Sequence, residues 1–259
     1  MNDSMINLRT VKAVRYVTPL REGGSLPAII EADDDGLYVL KFRGAGQGVK
    51  ALIAELIAGE IGRILGLRVP EIVFVELDAA LARTEPDPEI QDLIKASGGL
   101  NLALDYLPGS ITFDALIAPP DSALASKIAW FDALVANVDR TPRNANMLVW
   151  HKDLWLIDHG AAFYFHHNWD NFPGNSRNPF KQIKDHILLT FAGEIAEADA
   201  ALSAKLNPEV LREIVELIPD EWLDNPAEQR EVYFQFLTNR LDAPRAFNKE
   251  AIDARKLPV

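Results

Sequence analysis

The residues whose types and spacing can do chemistry lie in two short stretches, VDRTPRNANM at 138–147 and IDHG at 157–160. Between them, residues 147–150 (MLVW) and 154–157 (LWLI) read as two apolar strands joined by His151-Lys152-Asp153. A turn centred near Lys152 sets Trp150 against Leu154 and Asn146 opposite Asp158, with Asn144 one step further out. Asp139 precedes them at the end of a helix that Pro142 cannot continue. Two carboxylates and an amide oxygen brought together form a hard-oxygen site suited to Mg²⁺, which takes its remaining ligands from water and phosphate. In such a site Asp139 orients and deprotonates a hydroxyl, while Asn144 and Asp158 hold the metal. Asn146 competes with Asn144, because the hairpin puts it nearer Asp158. The cation still needed for phosphates is supplied by Lys41, within the apolar strand YVLKF at 38–42. A lysine in such a strand seldom points inward without an anionic partner.

Positioning these residues falls to the elements around them. Residues 9–18 (RTVKAVRYVT) alternate as a strand, and residues 28–31 and 37–42 flank Asp33-Asp34-Asp35-Gly36 as a hairpin. Residues 49–65 read as a helix, with Ile53, Leu56, Ile57, Ile61 and Ile64 at helical spacing and Gly66 placed for a left-handed cap. Residues 71–77 (EIVFVEL) and 100–106 (LNLALDY) are strand-like, and Leu107-Pro108-Gly109-Ser110 ends the pattern. Beyond it the chain turns helical. Asp121-Ser122 caps a helix through Val138, Asn207-Pro208 opens another, and residues 227–241 form a third. The expected class is α+β in two lobes: residues 1–105 as a small sheet with one helix, and residues 106–259 as a larger helical lobe.

At this point the residues resemble a known family. Asp139 followed by Asn144 matches the D-x4-N spacing of kinase catalytic loops, Asp158-His159-Gly160 fits the D-x-G metal motif, and Val39-Leu40-Lys41 resembles the strand bearing the phosphate-binding lysine. More narrowly, Asn137-Val138-Asp139 through Asn144, Gly23-Gly24-Ser25-Leu26-Pro27 and Gly66-Leu67-Arg68-Val69-Pro70 resemble the HipA-like kinases. The resemblance implies a protein-kinase-like fold and transfer of the γ-phosphoryl group of ATP, with Mg²⁺, to a Ser or Thr hydroxyl of a protein. It makes Asp139 the catalytic base, Asn144 and Asp158 the Mg²⁺ ligands and Lys41 the partner of the α- and β-phosphates. Residues 104–107, with Asp105, Tyr106 and Leu107, become the hinge against adenine. The same resemblance points to Glu55 as the lysine's helix partner, whereas helical periodicity puts Glu60 on the apolar face. Gly23, Gly24 and Ser25, between the first two strands, are favoured over Gly44-Ala45-Gly46-Gln47-Gly48 as cover for the phosphates. Two departures stand out: Asn137 and Val138 replace the His and Arg of H-R-D, and there is no G-x-G-x-x-G loop.

Composition narrows the alternatives. With 26 Lys and Arg against 38 Asp and Glu, the net charge of −12 argues against a broad nucleic-acid surface. No apolar run reaches membrane-span length and MNDSMINLRT lacks a signal-peptide core, so the expected location is the cytoplasm. Without cysteine, disulfides and thiolate chemistry are excluded. His159, His166 and His167 match no zinc spacing and read as partly solvated loop histidines. Trp130 and Phe131 read as core anchors, and residues 194–199 as a solvated helix face. The D-R-x3-N and I-D-x-G forms also suit a small-molecule or phosphoinositide-type kinase. From a different class, a nucleotide-binding pseudokinase acting as a switch or scaffold is the other alternative; the retained Asp139 argues against it.

Overall fold

Alternation along the first strands builds a sheet that closes on itself. The computed structural model describes residues 6–20, 26–46, 48–167, 169 and 176–256. Strands β1 (Thr10–Pro19), β2 (Ala28–Ala32), β3 (Leu37–Lys41), β4 (Ile72–Leu77) and β5 (Gly99–Asp105) form a closed barrel in the order β1-β2-β3-β5-β4. β1 and β4 run parallel, and the other neighbours are antiparallel. Val11, Ile30, Tyr38, Leu40, Val73, Val75 and Ala103 fill the barrel, while Ile72, Leu102 and Leu104 leave the same strands for a second core outside it. One residue of spacing thus decides which core a side chain joins.

Helix α1 (Val49–Leu65) lies in that second core through Leu52, Ile53, Leu56, Ile57 and Ile61. It ends as expected: Gly66 has φ 84°, and the Leu67 N–H closes onto the Gly62 carbonyl at 2.9 Å. Gly59 sets its approach to the barrel, since a Cβ there would stand 2.4 Å from Cδ1 of Ile72. Helix α2 (Pro88–Ala96), absent from the expectations above, is capped by Asp87 and adds Ile90 and Ile94 to the barrel core.

The remainder is mainly helical. Strand β6 (Ile111–Thr112) pairs with β7 (Met147–Trp150), which pairs with β8 (Asp153–Leu156). Helix α3 (Ser122–Val135), capped by Asp121, is the central element, and Trp130 and Phe131 are fully buried on it, as expected. It stops before Val138 because Ala136 turns left-handed at φ 53° and Asn137 bonds back to Asp132. Around it pack α4 (Ile195–Ser203), α6 (Pro226–Leu241) and α7 (Ala246–Arg255), the last also unanticipated, while α5 (Pro208–Glu216) packs on α6 and α1. Residues 194–199 are not simply a solvated face. Ile195 and Ala198 are buried, and Asp199 accepts a bond from Trp130 Nε1 at 2.7 Å and pairs with Arg245 at 2.9 Å. The architecture is the expected α+β arrangement of a strand lobe followed by a helical one. No helix among the described residues is long and apolar enough to cross a membrane.

Candidate active site

The β7–β8 hairpin gathers the polar residues in a register one residue away from that expected. Trp150 faces Asp153 rather than Leu154, and Asn146 accepts at its carbonyl from the Ile157 N–H at 3.0 Å, not opposite Asp158. The cause is a two-residue turn in which His151 and Lys152 both have positive φ, 50° and 71°. Such a turn matches the twist of its strands and needs no third residue. Convergence survives the shift because Asp158 itself bends the chain at φ 56°.

Beneath the loop lies a buried ionic anchor. Arg140, 1% exposed, pairs through Nε with Asp132 Oδ2 at 2.6 Å and donates to the carbonyls of Asn146 and Ile157. Asp132 also receives Asn137 Nδ2 and His186 Nε2, each at 2.9 Å. Burial works against the Asp132 charge, but the attraction of Arg140 and the bond from His186 outweigh it and hold the carboxyl well below its usual range. Asn137 then accepts the Asp139 N–H at 3.2 Å, so the loop hangs on groups that are themselves fixed.

Above the anchor, Asp139 Oδ2 accepts from Asn144 Nδ2 at 2.7 Å and from Asn146 Nδ2 at 3.2 Å. Asn144 is exposed and lines the cavity; Asn146 is buried and is not among the lining residues. Lys41 Nζ donates to Asp158 Oδ1 at 2.7 Å and stands 3.8 Å from Glu55 Oε2. Burial opposes the Lys41 charge, yet Glu55 and Asp158 together raise its affinity for the proton. Glu55, not Glu60, is therefore the glutamate beside Lys41. Glu60 is also buried, but its nearest ion pair is Arg63 at 3.6 Å.

A cavity of about 260 Å³ is lined by Lys41, Glu55, Asp139, Asn144, Asp158 and Gly160 on these elements, with Ala45, Gly46, Gly48, Ala51 and Leu52 closing another side. Gly48 holds φ 60°, ψ −152°, a conformation open to glycine, and caps α1 without a side chain. The start of α1 borders the cavity through Gly48, Ala51 and Leu52, and the Ala51 N–H bonds back to the Gly48 carbonyl at 3.2 Å. Gly23, Gly24 and Ser25 lie outside the described residues. Asp105, Tyr106 and Leu107 follow from the end of β5 and are not among the cavity's lining residues; the N–H groups of Asp105 and Tyr106 bond to the carbonyls of Glu71 and Leu37.

The histidines need correcting, since His159 and His166 are fully buried rather than partly solvated. His159 bonds Glu55, and His166 Nδ1 meets the Tyr233 hydroxyl at 2.9 Å. Burial pushes His166 down to about 3, so it stays neutral. No three His, Cys, Asp or Glu residues among those described are grouped to hold a metal.

The family model for the HipA-like kinases matches residues 13–249. The chain belongs to the HipA-like kinase family. No curated protein matches it. Among solved structures, this HipA-like kinase is similar to the Helicobacter pylori proinflammatory kinase CtkA, with TM-score 0.58, 15% identity, and coverage of 88% of this chain and 94% of that one. It is also similar to the Golgi casein kinase with Mn/ADP bound, with TM-score 0.54, 12% identity, and coverage of 96% and 74%. At these identities the likeness is one of fold. What motif reading missed in this HipA-like kinase is the support beneath the motifs: Asp132 and His186 carry no recognisable spacing, Arg140 figured only as the R of D-R-x3-N, and His159 looked like a variable residue within D-x-G.

Proposed function

We propose that this HipA-like kinase transfers the γ-phosphoryl group of ATP to a hydroxyl, that of a Ser or Thr of a protein. The carrying observation is that Lys41, Asp139, Asn144 and Asp158, from three separate parts of the chain, border one cavity that the start of α1 closes. A helix start suits phosphate because its free N–H groups and dipole favour an anion. Lys41, largely covered and charged, is suited to the inner phosphates, and by the family resemblance residues 104–107 would meet adenine. Residues 1–105 would then supply phosphate binding, and residues 106–259 the catalytic loop and metal ligands.

The donor set fits Mg²⁺. Asn144 spends its amide nitrogen on Asp139, which leaves its oxygen for a cation, and Asp158 is a carboxylate alongside. Two protein oxygens with phosphate and water completing the shell is the usual Mg²⁺ arrangement. When bound, the ion neutralises charge on the β- and γ-phosphates. Asp139 accepts the hydroxyl proton as the new O–P bond forms and the bond from the γ-phosphorus to the β,γ-bridging oxygen breaks, releasing ADP. Asn144 and Asn146 hold Asp139 Oδ2 in place for that task. The Golgi casein kinase, whose name specifies a protein substrate, supports a protein acceptor by analogy of fold.

The test is binding and transfer of labelled ATP with Mg²⁺ by the wild type and Asp139→Asn. The expected result is protein labelling that slows by about 10²- to 10⁴-fold in the variant, with nucleotide binding retained. Absence of ATP binding by the wild type would sink the proposal. Label appearing only in small molecules or lipid would move the acceptor, and binding without transfer would make the chain a pseudokinase.

A further inference from the structure

We infer that His159 is a positioning residue that fixes Glu55 and, through it, the ammonium of Lys41 for nucleotide binding. This rests on the kinase reading of the same site. The Glu55 carboxylate, on a residue 1% exposed, accepts from the His159 backbone N–H at 2.9 Å through Oε2 and meets the His159 ring Nδ1 at 3.0 Å through Oε1. Lys41 is further from it, at 3.8 Å, and gives its 2.7 Å bond to Asp158. A buried carboxylate needs donors on its oxygens. Here His159 supplies the two short ones, and the lysine supplies mainly charge.

The ring chemistry separates this role from simple packing. A charged carboxylate only accepts, so Nδ1 carries the proton. Nε2, on the far side of the ring, is buried and has no hydrogen-bond partner among the described residues. An orphaned polar atom is a cost to the fold. A phenylalanine would fill the same space, against the edge of Phe131 at a ring separation of 5.7 Å, without that cost. What phenylalanine cannot do is donate to Glu55. A second tie points the same way: Lys50 Nζ, near the start of α1, donates to the His166 carbonyl at 2.6 Å. Helix α1 is thus moored at two places to the segment that carries Asp158, and Glu55 is held inward by groups already built into the fold.

The experiment compares His159→Phe and His159→Asn with the wild type for KM of ATP, kcat, Mg-ATP affinity and the nucleotide-free thermal midpoint. Asparagine places an N–H donor, Nδ2, where the histidine has Nδ1. The expected result is an ATP KM raised about tenfold or more in His159→Phe, and most of that loss recovered in His159→Asn. Wild-type kinetics in His159→Phe, or an asparagine variant no better than the phenylalanine one, would overturn the inference. If His159→Phe does not fold, a double-mutant comparison decides. His159→Ala, which also removes the ring donor, and Glu55→Gln must then be non-additive in KM, and additive effects reject the link. A wild type that binds no ATP refutes the kinase reading and this inference together, whereas turnover indifferent to His159 refutes only the latter.

Discussion

Replacing Arg140 with Met tests the anchor beneath the catalytic loop. The substitution keeps the aliphatic stem but removes the cation from Asp132, whose side chain is fully buried. Breaking a buried pair by deleting one partner costs about 3–5 kcal/mol. A separate limit can be worked from the proton. The stranded carboxyl can be protonated, and with an ordinary value of 3.8 this costs about 4 kcal/mol at pH 7 and about 1.6 kcal/mol at pH 5. The wild-type carboxyl is held below 3.8, so the stability it contributes is present above that value and is lost only as the pH falls through the lower folded one. In Arg140→Met burial is no longer offset by that cation, so the folded value is expected to rise and the variant to gain relative stability on acidification. The deficit measured by urea unfolding is therefore expected near 4 kcal/mol at pH 7, narrowing to about half or less at pH 5. A deficit below about 1.5 kcal/mol at pH 7, or one that stays constant down to pH 5, would refute the anchor as described.

Lys41→Met should weaken Mg-ATP binding about tenfold or more, read by titration with a fluorescent nucleotide; unchanged affinity would remove Lys41 from phosphate binding. Asn144→Ala should raise the Mg²⁺ concentration needed for half-maximal transfer, whereas Asn146→Ala, which withdraws only a bond to Asp139, should lower kcat with that requirement unchanged. Equal shifts in the two variants would mean that both amides serve the metal. His166, held at about 3 against an ordinary 6.5, contributes stability above pH 6.5 that erodes as the pH falls towards 3. Stability of His166→Asn measured against pH should lack that component, and parallel curves for variant and wild type would contradict it.

Much of the barrel was legible because its strands alternate and its hairpin carries Asp-Gly punctuation. Helix α2 was missed because it buries only Ile90 and Ile94, too few apolar positions to display a period, although Asp87-Pro88 marked its start. The hairpin slipped by one residue because His151 and Lys152 are not types that advertise positive φ. Local pattern separated the site residues by type but not by partner. Both Glu55 and Glu60 are buried on α1, and only Lys41, arriving from β3, distinguishes them. His159 and His166 were misjudged for the same reason: the groups that receive them, Glu55 and Tyr233, are 104 and 67 residues away. Burial of a polar side chain is decided by such distant company, which a local window does not contain.

The two cores of the molecule give the Lys41–Glu55 pair a meaning beyond charge neutralisation. Lys41 ends a strand whose Tyr38 and Leu40 belong to the barrel interior, whereas Glu55 rides on a helix packed into the same core as α3. The 3.8 Å between them spans the seam where one packed body meets the other. Lys41 thus ties β3 to α1 within the strand lobe through Glu55, and the same ammonium reaches the helical lobe through its 2.7 Å contact with Asp158, so one side chain joins three packed elements.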